Sequence, residues 1–309
     1  PLPAVSGYSV ITKNIGKLEN KGVEFVINTQ NFVGDFSWNT SFNIAFNRNK
    51  ILSLSADVTE QYARNISTGD APFIQTVGKP IGALYGYVED GYYDNEAEVR
   101  NDPMYTNQGN SIILRTIGEI KYKNLDNDPT AITQSDRTFI GDVNPDYTFG
   151  FTNNFKYKRF DLSVFINGVQ GNDIINMNTR FNANLGSNKN ITQEMADGAW
   201  AAGQDNSNAT GPKVMRQFFR TIFFSRRFIE DGSFVRVKNI TLGYNLPLKS
   251  KTISAMRVSV GVNNLLTFTN YSGYDPEINS YGDNPALFGV DLGGYPNSRT
   301  YNLSLRCNF

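Results

Sequence analysis

The stretch RTYNLSLRCNF, residues 299–309, sets Tyr301, Leu303, Leu305, Cys307 and Phe309 on one side of an extended chain. Asn302, Ser304, Arg306 and Asn308 fall on the other. Successive side chains of a strand point to opposite faces, so this alternation predicts a strand with one apolar face. Chain ends fray unless something holds them. A strand that stops on an aromatic residue, with no polar tail, reads as one built to be held.

Six further stretches carry the same period. They are 23–29 (Val23, Phe25, Ile27, Thr29), 36–46 (Phe36, Trp38, Thr40, Phe42, Ile44, Phe46) and 147–157 (Tyr147, Phe149, Phe151, Phe155, Tyr157, interrupted by Asn153). The others are 160–166 (Phe160, Leu162, Val164, Ile166), 240–246 (Ile240, Leu242, Tyr244, Leu246) and 256–262 (Met256, Val258, Val260, Val262). The charges inside the alternating runs, the last counted from Tyr301, are Glu24, Lys156, Asp161, Arg257 and Arg306, and each lies on the polar face. A lipid-facing Arg or Lys at the bilayer midplane costs about 2–4 kcal/mol, whereas a lumen-facing one meets water. A soluble sandwich alternates too, so the connections decide. NFVGD, Lys158-Arg159 and PLKSKTISA are short links, while the alternate connections, roughly 47–146, 167–232 and 263–298, are long. Short turns at one rim and long loops at the other form the outer-membrane pattern, with the short turns periplasmic. On that assignment the last strand runs inward and ends at the periplasmic rim, where an aromatic residue belongs.

Composition agrees and removes rivals. With 29 Lys+Arg against 29 Asp+Glu in 309 residues, there is no electrostatic footprint for nucleic acid. The absence of histidine excludes Ser-His-Asp and Cys-His catalysis. The single cysteine, Cys307, excludes an intramolecular disulfide. Mean hydropathy is −0.38 and no apolar run approaches the roughly 18 residues of a membrane-spanning helix, yet a β-barrel hides its lipid face in every second residue. The opening PLPAVSGYSV has no signal-peptide pattern. In the long connections, GKPIGALYGYVEDGYYD (78–94) predicts ordered β structure, and 186–212 predicts a short helix followed by a Gly/Asn/Pro-rich loop.

EDGSFVRVKNITLGYNLP (230–247), MRVSVGVNNLLTFTNYSGYDPE (256–277) and GGYPNSRTYNLSLRCNF (293–309) closely resemble the C-terminal end of SusC/RagA-type TonB-dependent outer-membrane transporters of Bacteroidetes. NIGKLENKGVEFVINTQN, FSWNTSFNIAFNRNKI, VGKPIGALYGY and DRTFIGDVNPDYTFGFTNNFKYKRFDLSVFINGVQGNDI fit the same family in the same order. The resemblance implies an all-β fold, the C-terminal part (1–309) of one antiparallel transmembrane β-barrel of about 22 strands, with long extracellular loops. It implies that a plug, a TonB-contacting segment and earlier strands precede Pro1, where this chain is expected to be cut. It further implies a bacterial outer-membrane location in contact with lipid, a SusD-like surface lipoprotein over the loops and energy from the TonB complex. RTYNLSLRCNF, through Tyr301, Leu303, Leu305 and Phe309, then reads as the assembly signal for the barrel-insertion machinery. Cargo in the family is large nutrients, mainly glycans or oligopeptides.

Three groups of residues are candidate sites. Tyr85, Tyr87, Tyr92 and Tyr93 offer faces for stacking on sugar rings, against packing within the loops or on a SusD-like partner. Asn124, Asp126 and Asp128, with Asp136 closing the shell, have the alternate spacing of a Ca²⁺ loop. Pro129 departs from the EF-hand pattern, and the alternative is an Asx-rich turn. Asp275 and Glu277 of GYDPE (273–277) are paired carboxylates, but acids this close on a loop are turn chemistry, and the chain is expected not to be an enzyme. The inward faces hold Asn39, Asn43, Asn154 and Asn167, which suit a hydrated path. Import is the leading expectation; a passive porin, an adhesin or receptor barrel, and a soluble carbohydrate-binding module are its rivals.

Overall fold

A computed structural model describes residues 16–55, 58–62, 66, 71–182, 190–214, 223–248, 252–282 and 284–309. Its dominant element is a seven-stranded antiparallel sheet in which sequence neighbours are also spatial neighbours. The strands are β1 (Lys17–Phe32), β2 (Phe36–Ser53), β3 (Tyr147–Tyr157), β4 (Phe160–Gln170), β5 (Phe234–Leu246), β6 (Ala255–Thr269) and β7 (Thr300–Asn308). Six predicted windows lie wholly in these strands, the seventh exceeds β7 by one residue at each end, and the short links are the turns. Gly34, at φ 143°, takes the chain from β1 to β2 in a backbone region closed to other residues. Lys158, at φ 52°, opens the two-residue β3–β4 turn, and its N–H donates to Asp35 O of the neighbouring turn at 3.3 Å. That bond ties adjacent turns along the rim.

One face of this sheet is apolar and uncovered. Phe25 is 56% exposed, Val260 51% and Leu303 77%. A soluble sandwich would pack a second layer against this face; among the described residues none does. At the short-turn rim the same face gathers aromatic rings. Trp38 stacks on Phe155 at 5.6 Å and on Phe32 at 5.9 Å, and Phe160 meets Tyr244 at 4.6 Å. Such a girdle marks the bilayer interface. Asn153, which interrupts the apolar alternation, is buried there and accepts hydrogen bonds from Trp38 Nε1 and Thr40 Oγ1, both at 2.8 Å. Its carbonyl is therefore satisfied before it meets hydrocarbon.

The strands run further than the sequence windows because bulges interrupt the period. On β5, Asn239 faces both Phe165 of β4 and Asn263 of β6, and the next paired residue is Val237. Lys238 is the extra residue. Below it Ile240 and Leu242 face outward; above it the outward residues are Val235 and Val237, and Phe234 and Arg236 turn inward. Asn31 does the same on β1, between Gln30 and Phe32. Beyond Phe46, β1 and β2 continue as a polar ribbon, Lys17–Gly22 against Asn47–Ser53.

The buried core lies in the three long connections, 54–146, 171–233 and 270–299, rather than in the sheet. Leu84, Ile140 and Val143 from the first pack with Ile175 and Phe228 from the second and Val290 from the third. Small sheets frame them. Ala83–Gly86 pairs with Thr138–Asp142, and Glu89–Tyr92 pairs with Ile120–Tyr122, so the 78–94 stretch is β structure as predicted. Asp173–Asn176 lies between Ile229–Asp231, antiparallel, and Val290–Asp291, parallel. The predicted short helix is Gln193–Asp197, capped by Thr192 Oγ1, and residues 186–189 of that prediction lie outside the described residues.

Phe228 is fully buried, so Phe228→Ala is expected to remove about 3–5 kcal/mol of packing. Hydrogen exchange on the full-length protein in detergent should then show the loop strands losing protection while β2–β6 keep theirs. Simultaneous loss in both would mean that the wall depends on the cap's core.

Candidate functional site

The polar face of the sheet is a set of level rows. One row reads Asn28, Ser41, Thr152, Phe165, Asn239, Asn263 and Thr300. The row nearer the turns reads Gln30, Asn39, Asn154, Ser163, Thr241, Gly261 and Asn302. Asn239 Nδ2 donates to Asn263 Oδ1 at 2.7 Å, and Asn263 Nδ2 donates to Thr300 Oγ1 at 3.0 Å. Charge enters one row lower. Arg257 of β6 crosses Gly243 of β5 to pair with Asp161 of β4, its Nε lying 3.2 Å from Asp161 Oδ1. A side chain at 243 would occupy the guanidinium's place. Amides and hydroxyls of this kind exchange hydrogen bonds with water or a polar solute and hold no fixed counter-charge.

At the opposite rim, Arg236 fastens the third loop to the wall. It is 2% exposed and donates to Asp275 Oδ1 at 2.6 Å and Glu277 Oε2 at 2.5 Å, and Lys238 Nζ reaches the same Glu277 oxygen at 2.9 Å. Burial raises the proton affinity of the Asp275 carboxyl, but Arg236 and the N–H groups of Glu277 and Asn297 outweigh it and hold it below the usual carboxylate range. Both acids of GYDPE are thus paired with cations of β5.

The cap encloses a cavity of about 780 Å³ between the loops. Asn178, Thr192, Glu194 and Arg227 line it from the second loop and Ser272 and Tyr274 from the third. Arg227 is already engaged: Glu89 holds it bidentately, at 2.9 Å to Nε and 2.5 Å to Nη2, and Tyr92 Oη accepts a further bond at 2.9 Å. Glu230, also in the wall of the cavity, accepts from Asn176 Nδ2, Ser272 Oγ and Ser272 N, each at 2.8 Å, and from Thr179 Oγ1 at 3.5 Å.

The residues singled out from sequence are distributed through this cap. Tyr93 is 3% exposed and donates to Asp102 Oδ2 at 2.8 Å, with burial and that bond raising its pKa well above the ordinary phenol value. Tyr87 is also buried, stacked on Phe223 at 4.5 Å. Tyr85 and Tyr92 are half-buried, the first edge-on to Phe139 at 5.3 Å, the second on Arg227. The four rings are therefore held in separate contacts and do not form one platform. In the 124–136 loop the carboxylates of Asp126, Asp128 and Asp136 accept from their own backbone, while Asn124 Oδ1 is buried without a partner among the described residues. Asp136 takes the N–H groups of Leu125 and Thr133, both at 2.7 Å; Asp126 takes that of Asp128 at 2.8 Å; Asp128 takes that of Thr130 at 2.9 Å. Asn124 Nδ2 donates to the Asp128 carbonyl. Among the described residues no three His, Cys, Asp or Glu side chains converge. The geometry is that of the Asx-rich turn. Tyr301, Leu303, Leu305 and Phe309 line the outward face of β7, all well exposed. Arg236 and Tyr274 had escaped sequence reading, Arg236 because the bulge at Lys238 reverses its face and Tyr274 because it sits in a motif read as a turn.

Two expectations follow. Arg236→Met strands Asp275 without its cation, and breaking such a buried pair costs about 3–5 kcal/mol; protease cutting within 270–299 should accelerate while the sheet persists. Asp136 is buried, which works against ionisation, but its backbone donors win and lower its pKa. A depressed carboxyl stabilises fully above its unfolded pKa, about 3.9, and the contribution is lost as pH falls through the lower folded value. Exchange at residues 123–137 should therefore open only below about pH 4, and Asp136→Asn should flatten that dependence.

No protein-family model matches the chain. Similar proteins are found among curated sequences and solved structures. The chain is 37% identical over 326 residues to TonB-dependent receptor P3 of Formosa agariphila, covering 100% of this chain and 30% of that protein. It is 27% identical over 310 residues to TonB-dependent receptor SusC of Bacteroides thetaiotaomicron, covering 97% of this chain and 27% of that one. Its fold superposes on the RagAB peptide transporter with a TM-score of 0.74 at 24% identity, over 100% of this chain and 31% of that one. The chain thus spans about a third of the length of the relatives it matches. With an uncovered apolar face, an aromatic girdle, a polar inner face and capping loops, it is similar over its whole length to part of the TonB-dependent receptors, SusC among them, and shares the fold of the corresponding part of RagAB.

Proposed function

We propose that this chain is part of the translocation wall and the extracellular cap of an importer that moves large uncharged nutrients, glycans foremost, across the outer membrane. The observation that carries the reading is the inner face. Its two central rows offer amide and hydroxyl groups without a charged side chain, which suits a polyhydroxylated solute sliding past many weak contacts. A SusD-like lipoprotein fits over the loops as a lid, and the TonB complex supplies energy through a plug contributed by the rest of the protein. The barrel-insertion machinery reads β7 through its outward Tyr301, Leu303, Leu305 and Phe309. The competing barrel reading, a passive porin, differs in energy coupling.

The test uses the full-length protein in its native outer membrane. Uptake of fluorescent neutral oligosaccharides should stop on deletion of the TonB-contacting segment or on collapse of the proton gradient, and a SusD-like protein should co-purify. Uptake indifferent to both treatments would establish the porin. Uptake of oligopeptides alone would replace the cargo and leave the mechanism standing.

A further inference from the structure

Among the described residues Tyr274 stands apart from the other exposed aromatic residues of the cap. Within this part of the protein Tyr274 is 74% exposed, yet the segment that carries it is fixed at every neighbouring position. Tyr271 N donates to Thr269 Oγ1 at 3.1 Å, and the Tyr271 hydroxyl donates to the buried Asp291 at 2.6 Å. Ser272 gives both its N–H and its hydroxyl to Glu230. Gly273 lies against the Tyr271 ring so closely that a Cβ there would collide with it. Asp275 follows, locked to the buried Arg236. An exposed ring on a clamped backbone loses little entropy when something covers it, which is how rigid aromatic residues serve as binding anchors.

The position of the ring is equally specific. Tyr274 lines the 780 Å³ cap cavity and also a smaller cavity of about 290 Å³, whose other walls include Arg236, Asn264 and Thr267 of the barrel strands. It stands where the cap opens onto the inner face. Around the larger cavity the neutral hydrogen-bonding groups include Asn178, Thr179 and Thr192, and the carboxylates are Glu194 and Glu230. Among the described residues that line it the cation is Arg227, which is already paired with Glu89. Such a lining repels an anion and suits hydroxyl groups, which donate to carboxylates and accept from amides. Tyr295, by contrast, is 91% exposed but lines neither cavity.

We propose that Tyr274 is the stacking platform of a saccharide subsite, holding the apolar C–H face of one uncharged sugar ring at the passage from cap to wall. The assignment rests on the glycan-import reading and adds the residue that selects the cargo's ring. Neutral rings bind; on the side of the larger cavity Glu194 and Glu230 oppose sulfated or uronic-acid rings, while Arg236, held by Asp275, and Arg299 lie on the side of the smaller one. The phenol hydroxyl contributes little, because the ring face does the binding.

The experiment titrates the purified full-length transporter in detergent with neutral malto-, cello-, xylo- and laminari-heptaose, with their sulfated forms, and with an uncharged heptapeptide. Wild type should bind at least one neutral saccharide more tightly than its sulfated form. Tyr274→Ala should weaken that binding about tenfold, with Tyr274→Phe within about threefold of wild type and Tyr295→Ala unchanged. Exposed positions of this kind leave the fold intact, and circular dichroism of each variant verifies it. Equal affinity of Tyr274→Ala and wild type for a bound saccharide overturns the platform and leaves glycan import standing. Binding of the heptapeptide alone, or of no probe, overturns the saccharide assignment; energised uptake by wild type, measured separately, then decides whether the import reading falls with it. A preference for the sulfated forms overturns the charge argument.

Discussion

In hydrocarbon no water is present to satisfy a backbone N–H or C=O, so each must be paired within the protein. Strands β2 to β6 meet this by hydrogen bonding to a neighbour on both sides. The price is thinness. A single sheet with lipid on one face and water on the other has no interior in which to bury apolar side chains. Leu242 and Val260, at 48% and 51% exposure, make contacts that only a bilayer can complete. The chain's dry core is accordingly displaced beyond the rim. Leu84, Phe228 and Val290 come from three separate connections and meet in the cap, where water gives the hydrophobic effect its force.

A cap built from long loops needs an attachment that does not disturb the wall, and the bulge at Lys238 provides one. With unbroken alternation Arg236 would share a face with Ile240 and Leu242 and point at lipid. The one extra residue reverses the parity, keeps Val235 and Val237 outward, and delivers Arg236 to the inner face beside Asp275 and Glu277. Asn31 acts in the same way at the other rim, returning Phe32 to the outer face, where it stacks with Trp38. Each bulge makes the strand obey two patterns, one for lipid and one for the aqueous end, that a strict period of two cannot satisfy together.

This also explains what could be read from the sequence. The seven wall strands were legible because one face of each meets hydrocarbon over several residues, and lipid enforces alternation without exception for charge. Asn153 looked like a flaw and proved to be a satisfied polar group. The bulges were not legible, because Lys238 and Asn31 carry no local mark. Their trace is only the persistence of Phe234, Val235 and Val237 beyond the point where the alternation fails. The cap was legible in content but not in arrangement. Tyrosine density drew attention to Tyr85, Tyr87, Tyr92 and Tyr93, yet density in a β-rich loop also means burial, and Tyr87 and Tyr93 are interior. Tyr274 is one residue in a turn motif, and its significance comes from Glu230 and Arg236, far away in sequence.

The inner face and the cap solve opposite problems. A site that captures a solute gains from rigidity and from contacts made all at once, which the clamped segment around Tyr274 provides. A path along which a solute must keep moving gains from contacts that are easily exchanged. Asn239, Asn263 and Thr300 hydrogen-bond one another when nothing else is present, so a passing hydroxyl replaces a bond rather than creating one. The net value of such a bond is only about 0.5–1.5 kcal/mol even in favourable cases, and an exchange is worth less. A fixed charge in those rows would hold a counter-charged solute far more firmly. Charges lie instead toward the two rims, where Arg257 pairs with Asp161 near the turns and Arg236 with Asp275 under the cap.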